Sequence, residues 1–136
     1  MLVLVSPIGW LLIGALLGLL FIGFARRLHW RNQVRLFAVC LFLAGALYLA
    51  FGAFHGLPWS AVEGAGFVIF SLLAYAGLRW PRLLALGWLL HAGWDGGLHL
   101  ALEQPVIGPW LPLLCLPYDA MVAAYLAYAD NRQRAV

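Results

Sequence analysis

The segment from His91 to His99 carries residue types that bind metal ions, at a regular spacing. His91, Asp95 and His99 follow one another at intervals of four residues. An interval of four advances an α-helix by about 400°, so the three side chains form one stripe that drifts by about 40° per step. Imidazole and carboxylate ligands suit zinc, iron or manganese. The stripe therefore predicts a metal site on one helix face.

His91 and His99 are too far apart on a helix to bind the same ion. Eight residues span about 12 Å along the axis, whereas a metal–ligand bond is about 2.1 Å long. Two arrangements remain open. Either one ion is held by Asp95 and one histidine, with the other histidine beside them, or two sites are bridged by Asp95.

Three more ionisable residues lie in apolar stretches elsewhere, namely His55, Glu63 and Asp119. Each ionisable group in hydrocarbon costs about 2.5–3.5 kcal/mol on insertion scales, so the side chains must compensate one another. Counted along the helices, the six residues lie at two depths, with His55, Glu63 and His99 at one and His91, Asp95 and Asp119 at the other. We expect the two groups to converge on one site. The predicted metal ligands are His55, His91, Asp95 and His99, and the predicted general bases are Glu63 and Asp119.

The composition excludes a soluble domain. Of the 136 residues, 65% are hydrophobic and 10% are charged, and the mean hydropathy is +0.95. Soluble domains carry about 25% charged residues. Disorder and nucleic-acid binding both need more charge than this chain has, so we expect no nucleic-acid partner. The sequence predicts an all-α, polytopic membrane bundle that forms a single domain over 1–136, with the lipid bilayer as its partner.

Five stretches are long and apolar enough to be transmembrane helices. They cover 2–25, 36–56, 60–78, 83–103 and 109–128. All eight basic side chains are arginines, and they follow the first, third and fifth stretches. Cytoplasmic connections are enriched in arginine, which predicts an outside N-terminus and a cytoplasmic C-terminus in the cell inner membrane.

Turn and proline residues predict the local geometry of the chain. The Gly56–Trp59 break is expected to bring His55 and Glu63 together across a helical hairpin. Pro117 lacks an amide hydrogen, which predicts a kink just before Asp119. Asp130 is expected to be a solvated boundary charge.

Three glycines lie around the His91–His99 stripe, at positions 93, 96 and 97. Close helix packing is the expected use of such small residues in membranes, with room for a substrate as the alternative.

Three motifs resemble those of small, uncharacterised bacterial integral-membrane proteins. They are Phe54-His55-Gly56-Leu57-Pro58, His91-x-x-Trp94-Asp95-x-x-x-His99 and Leu114-Cys115-Leu116-Pro117-Tyr118-Asp119. The resemblance covers the second to fifth stretches and implies no particular activity. The Asp95/His99 spacing is also similar to a copper-binding pair in a subunit of particulate methane monooxygenase, and this short pattern carries weight only if copper is found.

These features favour a metal-dependent membrane enzyme, a hydrolase or an oxidoreductase, acting on a lipid or another hydrophobic molecule. The cofactor would be a divalent zinc, iron, manganese or copper ion. Three alternatives remain. The first is a metal or proton transporter, for which a chain this short would need to form a homodimer. The second is a b-type haem carrier that uses two of His55, His91 and His99. The third is a structural membrane subunit, in which Trp94 and Tyr118 would donate hydrogen bonds into a polar network.

Overall fold

The computed structural model describes residues 6–102 and 106–135, and within these ranges the chain is all-helical with no strand. The predicted all-α class is confirmed. The predicted start of the first span at residue 2 and the end of the fourth at residue 103 lie outside the described residues. The helices are α1 (Pro7–Ala25), α2 (Trp30–Ala53), α3 (Trp59–Gly77), α4 (Pro81–Trp94), which continues into a π-helix (Asp95–Ala101), and α5 (Trp110–Arg134).

Ordinary start and turn signals set the helix boundaries. Ser6 caps α1 by accepting a hydrogen bond from the Gly9 amide at 3.1 Å, and Pro7 takes the first helical position, where its missing amide hydrogen has no cost. Pro81 does the same for α4. Gly56 adopts a φ of 64° in the turn between α2 and α3, a conformation that glycine allows without strain.

Four helices, α1, α2, α3 and α5, are long and apolar enough to cross a membrane. Many large apolar side chains on them are exposed, for example Leu12 and Leu72. A surface of this kind requires a lipid environment. The chain is therefore a multi-pass membrane protein. The α4 helix has only 14 residues and the π-helix adds 7.

The fourth helix lies at the centre of the bundle. It contacts α2, α3 and α5, while α2 packs along α3 and α1 packs along α5. The close approach of α1 to α5 depends on Gly14, since a Cβ there would meet the carbonyl of Leu114. Between α2 and α5 a gap remains, and it leads to α4.

The arginines define one end of the bundle, which we call the arginine end. Arg82 at the start of α4 and Arg134 at the end of α5 lie 3.3 and 2.8 Å from the carboxylate of Asp130. Asp130 itself is only 4% exposed. The expectation that it is solvated is wrong, because the adjoining helix ends bury it between two guanidinium groups.

Candidate metal centre

Three titratable side chains from two helices meet in the core, and we call them the His–Asp–Asp cluster. His91 Nδ1 on α4 lies 2.7 Å from Asp119 Oδ2 on α5 and 3.6 Å from Asp95 Oδ2 at the start of the π-helix. All three residues are at most 2% exposed. One ligand atom from each lies within 4.8 Å of the others, which is close enough to hold a metal ion.

A second polar contact, the Glu–His pair, joins α3 to the π-helix. His99 Nε2 lies 3.1 Å from Glu63 Oε1, and the Trp94 indole donates a hydrogen bond to Glu63 Oε2 at 3.2 Å. The approach of Trp94 requires a glycine opposite it, since a Cβ on Gly66 would lie 2.8 Å from the indole ring. The predicted donation from Trp94 into the polar network is confirmed.

Tyr48 on α2 connects the cluster to the pair. Its hydroxyl donates a hydrogen bond to Asp95 Oδ1, and its ring stacks on that of His99 with centroids 4.7 Å apart. The same ring lies 5.3 Å from that of His91. Sequence reasoning missed Tyr48, although a hydroxyl in the middle of an apolar span must find a partner.

Several buried polar atoms of these groups have no hydrogen-bond partner among the described residues. They include His91 Nε2, Asp95 Oδ2, Glu63 Oε1 and both ring nitrogens of His99. The Glu63–His99 contact of 3.1 Å is therefore an ion-pair contact and not a hydrogen bond. Most buried polar atoms in proteins are hydrogen-bonded. A concentration of unpartnered donors and acceptors in one place therefore points to a ligand-binding site.

The π-helix changes the arrangement predicted for the stripe. Its backbone bonds run from residue i to i+5, which winds the chain more loosely than an α-helix. His99 therefore leaves the stripe formed by His91 and Asp95, and it faces Glu63 instead. Of the two arrangements left open by the sequence, the structure shows Asp95 grouped with one histidine and the other histidine apart.

His55 lies outside both groups. It is exposed in the turn that follows α2, and its Nδ1 contacts the carbonyl of Phe51 at 3.0 Å. Glu63 instead faces inward, packed so closely that a Cβ on Gly52 would lie 2.8 Å from its side chain. The expected meeting of His55 and Glu63 is therefore not found, because the histidine folds back along its own helix.

The gap between α2 and α5 forms a cavity of about 280 Å³, which we call the lateral cavity. Its floor includes Trp88, His91 and Asp119, while its walls are mostly apolar. Leu43 and Leu47 line it and are also exposed, at 56% and 45%. The cavity thus connects the lipid-facing surface to the His–Asp–Asp cluster.

Other local expectations are only partly met. A Cβ on Gly93 or Gly97 would have nothing within 4 Å, so close packing is the wrong explanation for these two glycines. Gly96 would be in ordinary contact with Leu116 at 3.5 Å. Pro117 lies within α5, which continues through it from Trp110 to Arg134.

Membrane-crossing helices around a buried His–Asp–Asp cluster define the class as a multi-pass membrane protein with a candidate metal centre. The chain belongs to a family described as "Family of unknown function (DUF6010)", whose model matches residues 9–133. This match includes every candidate site residue and agrees with the expected resemblance to an uncharacterised family. No curated protein and no solved structure matches the chain.

Proposed function

We propose that the chain is a metal-dependent membrane enzyme that acts on a lipid or another hydrophobic molecule. In this proposal His91, Asp95 and Asp119 bind a divalent zinc, iron, manganese or copper ion. The bundle crosses a bacterial inner membrane five times, with α4 and the π-helix together as one span. The arginine end faces the cytoplasm and the N-terminus lies outside, since basic residues favour the cytoplasmic side.

The observation that carries the proposal is that two carboxyl groups and an imidazole meet in the buried His–Asp–Asp cluster. Two carboxylates share this buried space with a single imidazole. With both carboxyl groups ionised, even an imidazolium would leave one negative charge uncancelled, and an unpaired charge in the core costs about 3–5 kcal/mol. A divalent cation would balance two carboxylates and would give the unpartnered Asp95 Oδ2 a partner.

The spacing of the cluster suits an ion after a small adjustment. Metal–ligand bonds of about 2.1 Å place neighbouring ligand atoms about 3 to 3.4 Å apart. The 3.6 Å separation of His91 Nδ1 from Asp95 Oδ2 is near this range, while the 2.7 Å separation from Asp119 Oδ2 must widen slightly. Three protein ligands leave a coordination position open, as catalytic sites do.

The remaining polar residues supply proton transfer. A divalent ion held by His91, Asp95 and Asp119 would lower the pKa of a water and so supply a nucleophile at neutral pH. Glu63, predicted as a general base, has one carboxylate oxygen without a hydrogen bond and lies beside His99. We assign proton acceptance to the Glu–His pair. Asp119, the other predicted base, acts as a ligand instead because it lies within the cluster.

The lateral cavity supports a hydrophobic substrate. It reaches His91 and Asp119 from the side of the bundle, and its exposed edge is formed by leucines. A molecule dissolved in the bilayer can therefore approach the cluster without crossing an aqueous phase. A water-soluble substrate would have to pass an apolar wall, which would exclude its charged groups.

Metal analysis of the purified protein tests the metal centre. We expect stoichiometric zinc, iron, manganese or copper in the wild type and its loss in His91→Ala. His55→Ala is the matched control, since it removes an exposed imidazole and should leave the metal content unchanged. Equal trace metal in the wild type and in His91→Ala would refute the proposal.

Lipid turnover tests the enzymatic part. Metal-loaded protein in vesicles of mixed lipids should convert a component that mass spectrometry identifies. Leu47→Trp should fill the mouth of the lateral cavity and abolish conversion while metal content is kept. Leu72→Trp places the same ring on an exposed leucine of α3 outside the cavity, and it should remain active. Conversion that survives Leu47→Trp would exclude this route.

A structural role is the second candidate, because the same side chains also cross-link helices. Tyr48 bonds Asp95, His91 bonds Asp119 and Trp94 bonds Glu63. If the network served packing alone, apolar replacement of His91, Asp95 and Asp119 would preserve or raise thermal stability. Chelation separates the two candidates, since removing a bound metal lowers the melting temperature only where a metal contributes to the fold.

A further inference from the structure

We propose that the arginine end binds an anionic phospholipid between α2 and α3. The phosphate headgroup contacts Arg31, Arg35 and Arg79, and one acyl chain lies in the apolar groove that continues along α2. No residue of this site belongs to the His–Asp–Asp cluster, so the inference is independent of the proposed enzyme.

The three arginines have no acidic partner among the described residues. Asp130 is the only described acidic residue at the arginine end, and Arg82 and Arg134 bind it. Among the described residues, Arg35 donates a side-chain hydrogen bond to Asn32 Oδ1 at 3.4 Å, and Arg79 lies over the ring of Trp80. Three uncompensated guanidinium groups at one membrane boundary favour a multivalent anion.

These arginines line one of two adjacent cavities. A cavity of about 520 Å³ is bounded by Arg31, Arg35, Leu78 and Arg79. A second cavity of about 530 Å³, the α2–α3 groove, shares two of those residues with it. The two cavities therefore adjoin at Arg35 and Leu78, and the charged one lies directly beside the apolar one.

The α2–α3 groove has the composition and direction of an acyl-chain site. Apart from Arg35 at its end, it is lined mainly by small and apolar side chains, including Ala38, Val39, Phe42 and Ala74. From Arg35 to Phe42 it follows α2 for about 10 Å, at 1.5 Å per residue. It therefore extends from the headgroup region into the hydrocarbon, as the chain of a bound phospholipid does.

Charge and shape together select the lipid over other anions. Basic pockets at the cytoplasmic side of membrane helices bind lipid headgroups. A free phosphate would use the arginines but leave the groove without an occupant. A zwitterionic lipid would fill the groove, but its choline group would bring a positive charge to the arginines.

Native mass spectrometry of the detergent-purified protein can measure this binding. The probes are dioleoyl phosphatidylglycerol, dioleoyl phosphatidylcholine with the same chains, and inorganic phosphate without chains. We expect phosphatidylglycerol to bind about tenfold more tightly than phosphatidylcholine. Inorganic phosphate at the same concentration should not bind. Equal binding of the two lipids, or binding of phosphate as tight as that of phosphatidylglycerol, would overturn the proposal.

Paired variants locate the site. Arg35→Gln with Arg79→Gln should weaken phosphatidylglycerol binding by about tenfold or more. Arg26→Gln with Arg27→Gln removes the same charge at the same end outside the site, and it should have little effect. An equal loss in both double variants would show general electrostatic attraction and contradict a defined site.

The groove is tested without changing any charge. Val39→Trp should fill the α2–α3 groove and weaken phosphatidylglycerol binding. Val68→Trp is matched to it, since both valines are 55% exposed and only Val39 lines the groove. Size-exclusion profiles identify variants that fail to fold. Unchanged binding in a folded Val39→Trp protein would refute the acyl-chain part of the proposal.

Discussion

The hydroxyl of Tyr48 is the link between the two polar groups of the core. It bonds Asp95, while the ring packs on His99 and lies close to His91. Mutation of a residue that holds a metal ligand in place typically lowers metal affinity by about 10- to 100-fold. In the proposed metal centre, Tyr48 therefore orients one carboxylate oxygen and leaves the other free to coordinate.

Tyr48→Phe should keep the ring packing and remove only this orientation. We expect metal to bind with about tenfold to a hundredfold lower affinity, as measured by competition with a chelator of known affinity. Tyr125→Phe removes a hydroxyl that bonds Gln33 far from the cluster, and it should leave the affinity unchanged. If Tyr48→Phe binds metal as tightly as the wild type, the orienting role is excluded.

Residue types in apolar stretches predicted most of the candidate site. Burial of His91, Asp95, Asp119 and the Glu–His pair follows from the cost of leaving such groups unpaired in hydrocarbon. That cost requires partners but does not say which ones. His55 does not incur this cost because it lies in an exposed turn. Its residue type alone therefore did not predict its position.

At the level of elements, the π-helix is the feature that sequence periodicity could not predict. Spacings of four residues fit a regular α-helix, and nothing in Asp95–Ala101 marks a change to i→i+5 bonding. The contact that accompanies this change joins His99 to Glu63 on α3, and it depends on how the helices pack. Helix existence was predictable from hydrophobicity, whereas local winding depends on tertiary contacts.

Hydrophobicity alone did not reveal the seam between α1 and α5, although the sequence contains a signal for it. Gly14 and Gly18 are four residues apart, a spacing typical of close helix pairs in membranes. In the structure a Cβ on Gly18 would lie 3.4 Å from the Tyr118 backbone. At Gly14 the two helices are closer still, since a Cβ there would overlap the carbonyl oxygen of Leu114.

Gly14→Ala should therefore separate α1 from α5. We expect a loss of about 1–3 kcal/mol, the usual cost of overpacking, as measured by reversible unfolding in mixed detergent micelles. Gly23→Ala lies on the same helix with nothing within 4 Å of its Cβ. It should be neutral or stabilising by up to about 1 kcal/mol, since alanine favours a helix over glycine. Equal destabilisation in both variants would contradict the packing explanation.

For the whole molecule, the distribution of arginines is the strongest predictor of orientation. All eight basic residues lie at or near one end, while the lipid-facing surfaces of the helices are apolar. Composition and charge were thus sufficient for the class of protein. They could not show that α4 lies at the centre, because packing order depends on which helix faces are complementary.

Reporter fusions test the proposed topology. A fluorescent protein fused after Val136 should be fluorescent in a bacterial host, because a cytoplasmic C-terminus lets it fold. A periplasm-dependent phosphatase inserted in the turn between α2 and α3 should be active, and the same insertion after Arg79 should be inactive. Activity at both insertion sites, or at neither, would contradict the five-span arrangement.

The first helix carries no titratable side chain, yet its aromatic rings pack against the two helices that flank the lateral cavity. Near the arginine end its Phe21 ring packs against both Phe37 of α2 and Tyr118 of α5. Farther from that end Trp10 packs against Trp110 of α5, and the exposed Leu43 and Leu47 at the edge of the lateral cavity lie in that half of α2. In the proposed orientation, molecules would reach the cluster from the periplasmic leaflet alone, so lipid asymmetry would govern which compounds the protein encounters.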